Sequence, residues 1–186
     1  LGRELADGEL LQLSNVRNEQ FSEDVYFEVI HKKTAALFAA CTKAGALSVD
    51  ADEEKIEFLR RFGEYIGLCF QIRDDIFDYY ESKEIGKPTG NDMLEGKLTL
   101  PVLYALNSTH DEDAAAIALR VKSGKATVDE IARLIAFAKQ HDGIEYAIQT
   151  MNGYRDKALD LLSFAPANAV TDALAAYINY VVEREK

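Results

Sequence analysis

Between residues 53 and 79 an apolar side chain recurs every three or four positions, at Ile56, Leu59, Phe62, Ile66 and Phe70. That period belongs to an α-helix with one face turned to a core. Gly63 and Gly67, four apart, would let a second helix come close. The same rhythm runs through most of the chain. From 23 to 45, Tyr26, Ile30, Lys33, Thr34, Leu37 and Cys41 fall on one stripe. Further helices are predicted at about 99–108, 111–122, 127–140, 142–163 and 168–184, and Thr127 with Glu130 has the spacing of a capping box. The stretch SKEIGKPTGNDMLEGK, 82–97, breaks the rhythm with Gly86, Gly90, Gly96 and Pro88 and reads as a loop. The predicted class is all-α: a single domain over residues 1–186, built as an antiparallel bundle of helices with short loops.

Composition narrows the function. A formal net charge of −11 is wrong for a general nucleic-acid binder, which needs a basic surface. No apolar run approaches the length of a membrane span and no signal-peptide pattern is visible, so a cytoplasmic protein is expected. Cys41 and Cys69 both fall in helical pattern and are expected to be reduced, buried small hydrophobes.

The long helix contains a conflict. In FQIRDDIFDYY, 70–80, three aspartates sit among strongly apolar neighbours. Residues three and four apart share a helix face, so Gln71, Asp74 and Asp78 line up, with Asp75 at the edge. A carboxylate taken out of water must be paired or bound to a metal. An oxygen-rich face suits Mg²⁺, a hard cation that keeps several waters and is commonly shared with substrate phosphates. The plain alternative is a solvated acidic face.

Basic residues answer these carboxylates. Lys33 lies on an inward stripe and needs an anion unless it reaches out to water. Thr34 beside it can offer a hydroxyl. Lys87 and Lys97 bracket the glycine loop, and Asp92 between them is either a helper to the metal or a turn residue. Acidic residues for a metal ion together with several lysines describe a diphosphate site. His31, His110 and His141 have no metal-ligand spacing, and no nucleophile–base constellation is visible.

On these residues the chain resembles the trans-type polyprenyl diphosphate synthases. The matching segments are GELLQL (8–13), YFEVIHKKTAALF (26–38), GLCFQIRDDIFDY (67–79) and GKPTGNDMLEGKLTLP (86–101). It is most similar to the long-chain bacterial members, such as the octaprenyl diphosphate synthases. The resemblance implies the C-terminal half of an isoprenoid-synthase-type fold. It implies that Asp74, Asp75 and Asp78 hold Mg²⁺ against an allylic prenyl diphosphate. Lys33, Lys87 and Lys97 would grip that diphosphate, and Thr34 and Gln71 would line the reaction site beside the leaving group, with Lys33 counted in the catalytic group as well. Glu9 and Gln12 would belong to the cavity wall. The implied reaction ionises the allylic diphosphate and adds the cation to isopentenyl diphosphate, giving a long-chain all-trans product. A homodimer is implied for the complete protein.

The family carries two aspartate-rich motifs, and only one is found here. DADEE (50–54) and DEDAA (111–115) read as solvated caps. The other motif and the isopentenyl diphosphate site are expected upstream of Leu1, so the 186 residues read as a fragment, inactive alone and exposing apolar faces. Arg184 and Lys186 either close over the substrate from the C-terminus or form a loose solvated tail, and the tail is the reading preferred. Two other functions compete: a non-catalytic helical partner subunit, and an all-α Mg²⁺-dependent nucleotide pyrophosphohydrolase. The second would need more paired carboxylates on another helix.

Overall fold

The computed structural model describes residues 1–16, 18–80 and 89–185, and among these it is helical without a strand. The helices are α1 (Gly2–Val16), α2 (Glu23–Ile30), α3 (Ala36–Leu47), α4 (Glu53–Phe77), α5 (Asn91–Leu94), α6 (Leu100–Thr109), α7 (Glu112–Lys122), α8 (Val128–Gln140), α9 (Gly143–Ser163) and α10 (Ala169–Glu183). Side-chain caps start several of them, as expected for a helix whose first amides lack partners. Asp111 accepts from the Ala114 amide, and Thr127 and Glu130 form the reciprocal capping box. Asp52 accepts from the Lys55 amide at 2.9 Å at the start of α4. The acidic runs at 50–54 and 111–115 thus supply helix caps, as read from the sequence.

One feature departs from the predicted stripe. Between α2 and α3 the chain makes a π-helical turn, His31–Ala35. A π turn spends an extra residue, so the face that packs inward slips downstream of it. Tyr26, Val29 and Ile30 are buried before the turn, and Ala35, Ala36, Ala39 and Ala46 after it. Leu37 and Cys41, the expected inward positions, are exposed. Cys69 is buried as expected, and burial pushes its thiol up to about 12. The second departure is α5, a single turn of helix inside the predicted 82–97 loop.

The chain forms two compact units. The first comprises 1–9, 28–73 and 150–185. Within it, α3 and α4 run antiparallel, because Ala35 faces Gly67 while Thr42 faces Gly63. The approach is close: a Cβ on Gly67 would lie 2.6 Å from the Ala35 Cα, and one on Gly63 would lie 2.6 Å from the Phe38 carbonyl oxygen. Phe62, Ile66, Cys69, Ile72, Met151, Ala158, Ile178 and Val181 are among its buried side chains.

The second unit comprises 10–27 and 74–149. Here α8 packs on α6 and α7. Tyr104 of α6 stacks on Tyr146 of α9 at 4.0 Å between ring centroids, and the Tyr146 hydroxyl donates to Glu23 at 2.9 Å. Leu100, Val102, Val121 and Leu134 are buried here. Several apolar side chains stay exposed, among them Leu10 and Leu13 on α1, Val128 on α8, and Phe164, Val170 and Tyr180 toward the C-terminus.

Candidate active site

The three predicted aspartates have three different surroundings. Asp75, in the last turn of α4, is only 4% exposed. The Tyr26 hydroxyl donates to its Oδ2 at 2.6 Å. Tyr26 is itself buried, and that burial, followed by the neighbouring Asp75 charge, holds its phenol protonated well above the usual range. Asp74 is half-buried one residue before. Asp78, just beyond the helix, accepts from the Asn91 amide at 2.9 Å on Oδ1 and from the Asp92 amide at 3.0 Å on Oδ2. Its backbone carbonyl accepts from the Gly90 amide at 2.9 Å. Asp78 therefore caps α5 and ties the GND segment to the end of α4.

Gly90 makes that tie possible. Its φ of +81° is a conformation that side chains resist, and a Cβ there would lie 2.6 Å from Ile131 Cγ2. Behind the carboxylates, the Tyr79 hydroxyl is buried and shares a 3.0 Å hydrogen bond with Thr99 Oγ1. Asp92 lies in the first turn of α5. Burial first, and then the Asp78 charge, push its carboxyl up to about 6. The Lys97 ammonium stands 4.0 Å from Asp92 and 2.5 Å from Glu95.

The basic and polar residues of the first unit form another group. Lys33 and Thr34 sit in the π turn, a geometry that re-aims side chains on an otherwise regular helix. Thr34 Oγ1 donates to Gln71 Oε1 at 2.7 Å, so these two predicted residues meet. Lys33 finds an anion within the protein: its ammonium is 2.5 Å from Glu9 Oε2. Gly8 permits this, since a Cβ there would lie 2.8 Å from Lys32 Cβ. Gln12 is half-buried in α1. Lys87 lies outside the described residues.

Some partners were not legible in the sequence. His31 Nε2 lies 3.1 Å from Glu64, which also accepts from Arg60 at 2.6 Å. The hydrogen bond from His31 pulls the Glu64 carboxyl down to about 2, and the same bond raises the imidazole. Tyr26, read only as a core residue, proves to be the donor to Asp75. Arg184 is not a loose tail: its carbonyl accepts from Arg73 Nη2 and Nε at 2.7 and 3.0 Å. Its guanidinium lies 4.3 Å from the Phe70 ring centroid. Lys186 lies outside the described residues.

Among the described residues no three His, Cys, Asp or Glu side chains gather into a ready cage for a metal ion. Asp74, Asp78 and Asp92 offer hard carboxylate oxygens, the donor type that a divalent cation shared with phosphate takes.

The model of the polyprenyl synthetase family matches residues 2–138. The chain belongs to this family. It is similar to the octaprenyl diphosphate synthase of Haemophilus influenzae, with 33% identity over 97% of this chain and 55% of the relative. Among solved structures, a geranylgeranyl pyrophosphate synthase from Bacteroides thetaiotaomicron shares 63% identity at a TM-score of 0.95, covering 98% of this chain and 61% of that one. A polyprenyl synthase from Caulobacter crescentus, complexed with calcium and isoprenyl diphosphate, shares 36% identity at a TM-score of 0.88, over 98% and 56% of the two chains. The chain thus spans a little over half the length of these family members. The all-α class expected from the sequence is also the class of these relatives, and no described helix is long and apolar enough to cross a membrane.

Proposed function

We propose that this chain is the diphosphate-ionising portion of a trans-prenyltransferase, which extends an allylic diphosphate with isopentenyl diphosphate. Family membership supports the reaction class. The acidic end of α4 is the structural observation that carries the reading: Asp74 and Asp75 close the helix, and Asp78 draws the Asp92 turn onto it. A structural helix end has no need to bring Asp92 beside Asp78 in a partly buried place, where the carboxyl is pushed up to about 6.

Asp74 and Asp78, with Asp92 assisting, would hold Mg²⁺, whose chemistry is to neutralise a diphosphate leaving group, and Asp75 belongs to the same acidic site. Lys97, already beside Asp92, contributes ammonium charge to the diphosphate, and Lys33 and Lys87 are assigned the same role. Lys33 would exchange Glu9 for the substrate anion, a swap that an exposed carboxylate permits at small cost. Thr34 fixes the orientation of Gln71 by donating to its side-chain oxygen, so that Gln71 presents a set geometry beside the reacting carbon. Once C–O cleavage leaves an allylic cation, isopentenyl diphosphate attacks it, and loss of a proton restores neutrality. The departing diphosphate is assigned as the base, which agrees with the lack of a nucleophile–base constellation in the sequence.

The proposed product is long-chain, as in the octaprenyl relative. A geranylgeranyl-length product is the second reading, favoured by the 63% identity to the Bacteroides structure. The test is to incubate the natural full-length protein with Mg²⁺, an allylic diphosphate and labelled isopentenyl diphosphate, then size the dephosphorylated products by mass spectrometry. Prenyl growth is expected, abolished by chelation and by Asp74→Asn. No growth under any metal condition, or nucleotide hydrolysis instead, would overturn the proposal. Sedimentation of the same sample tests the proposed homodimer.

A further inference from the structure

Of the three aspartates, Asp75 is the one whose carboxylate is almost wholly removed from solvent, and a second buried residue is aimed at it. Tyr26 is 5% exposed and Asp75 is 4% exposed, and the two are joined by a 2.6 Å hydrogen bond across 49 residues of sequence. We infer that Tyr26 is a positioning residue of the acidic site, and that Asp75 serves the site through this bond, as a fixed inward charge and not as a metal ligand. The inference rests on the functional reading above.

The argument is geometric. Successive residues on an α-helix point about 100° apart, so pinning Asp75 inward sets the direction in which Asp74 emerges. A carboxylate at a helix end that lost this bond would be freer to turn toward water, where it could compete for the cation or crowd Asp74. The phenol opposes that turn: it supplies a short bond to a charged acceptor, and its ring sits edge-on to Phe27 at 5.3 Å between centroids. Asp78 is likewise oriented by protein, since each of its oxygens accepts one backbone amide. Asp75 and Asp78, the near neighbours of Asp74 in the sequence, are thus each held by a different element. The bond between Tyr26 and Asp75 also joins the start of α2 to the end of α4, so the aspartate next to the site is braced from outside its own helix.

Tyr79 provides the control. It is another buried phenol of the same unit, but it bonds to Thr99 and not to a carboxylate. Tyr26→Phe and Tyr79→Phe each delete one buried hydroxyl and keep the ring. Mn²⁺ binding to the natural full-length protein, in the presence of inorganic diphosphate, is read by electron paramagnetic resonance. Tyr26→Phe is expected to weaken Mn²⁺ by about tenfold, the equivalent of one hydrogen bond to a charged group. Tyr79→Phe is expected to leave it within about twofold, because its hydroxyl bonds Thr99 and holds no carboxylate. Asp75→Asn should keep the number of bound Mn²⁺ ions, and combining it with Tyr26→Phe should weaken binding no further. In turnover, the Mg²⁺ concentration for half-activation should rise in Tyr26→Phe while kcat at saturating Mg²⁺ stays near wild type.

Equal effects of the two phenylalanine variants, or none from Tyr26→Phe, would overturn the inference, and so would loss of a bound Mn²⁺ in Asp75→Asn, which would make Asp75 a ligand. Should Asp75→Asn fail to fold, the two phenylalanine variants decide alone. Failure of the wild-type protein to bind Mn²⁺ with diphosphate would bring down the functional reading together with the inference. Normal wild-type binding with an unchanged Tyr26→Phe would bring down the inference only.

Discussion

Gly67→Ala tests the packing that carries the Thr34–Gln71 contact. The new Cβ would lie 2.6 Å from the Ala35 Cα and 3.2 Å from the Ala35 and Phe38 Cβ atoms. None of these is the end of a flexible side chain, so α3 and α4 must separate. Reaching ordinary contact at 3.4 Å requires an opening of about 0.8 Å. Overpacking of this kind costs about 1–3 kcal/mol, and a contact against backbone belongs at the upper end; the better helix propensity of alanine returns about 1 kcal/mol. The net loss is about 2 kcal/mol, or about 4–8 °C in Tm for a domain of this size. The same opening, in the direction of Gln71, would stretch the 2.7 Å bond from Thr34 to about 3.5 Å, the edge of a hydrogen bond. Prenyl transfer by the full-length protein should then fall by about tenfold or more, since a misplacement approaching 1 Å is costly in an oriented site. Urea and thermal unfolding measure the first effect and steady-state turnover the second. Gly45→Ala and Gly153→Ala are the internal standards: both lie on helices with nothing within 4 Å of the new Cβ, so they should gain about 0.5–1 kcal/mol. If Gly67→Ala behaved like these two, the close approach of α3 to α4 would be refuted.

Asp78→Ala, in metal-free buffer, should lower stability by about 1 kcal/mol through the loss of the cap on α5, with faster amide exchange at Asn91 and Asp92; unchanged exchange there would contradict the capping role. The His31–Glu64 pair should give stability a pH window. The imidazole is raised above 6.5, so its contribution is complete below that value and is lost as the pH rises through the raised pKa; Glu64 is lowered from 4.5 to about 2, so its share is complete above 4.5 and is lost as acid approaches 2. Both shares are therefore whole between 4.5 and 6.5, and because His31 is 42% exposed the pair is worth under about 1 kcal/mol. The Tm difference between wild type and Glu64→Gln should be largest in that window and shrink in alkali; a difference flat with pH would refute the pairing.

The helices and their order were legible from residue spacing because helix formation is a local matter: caps such as Thr127 with Glu130, and the period through Ile56, Phe62 and Ile66, act within a few residues of themselves. The DDxxD spacing and the glycine loop were legible for the same reason, and so was the family. The partners were not. Asp75 meets a phenol 49 residues away, Gln71 meets Thr34 across 37, and Glu64 meets His31 across 33. No local pattern encodes such pairings, because they depend on how helices lie against one another. The π turn at His31–Ala35 shows the limit most directly. Its residues read as ordinary helix, and the extra residue it absorbs moves Leu37 and Cys41 outward and Ala39 inward. Sequence fixed which residues could carry the chemistry; packing between distant helices decided which carboxylate is buried, which caps a turn, and which hydroxyl each one holds.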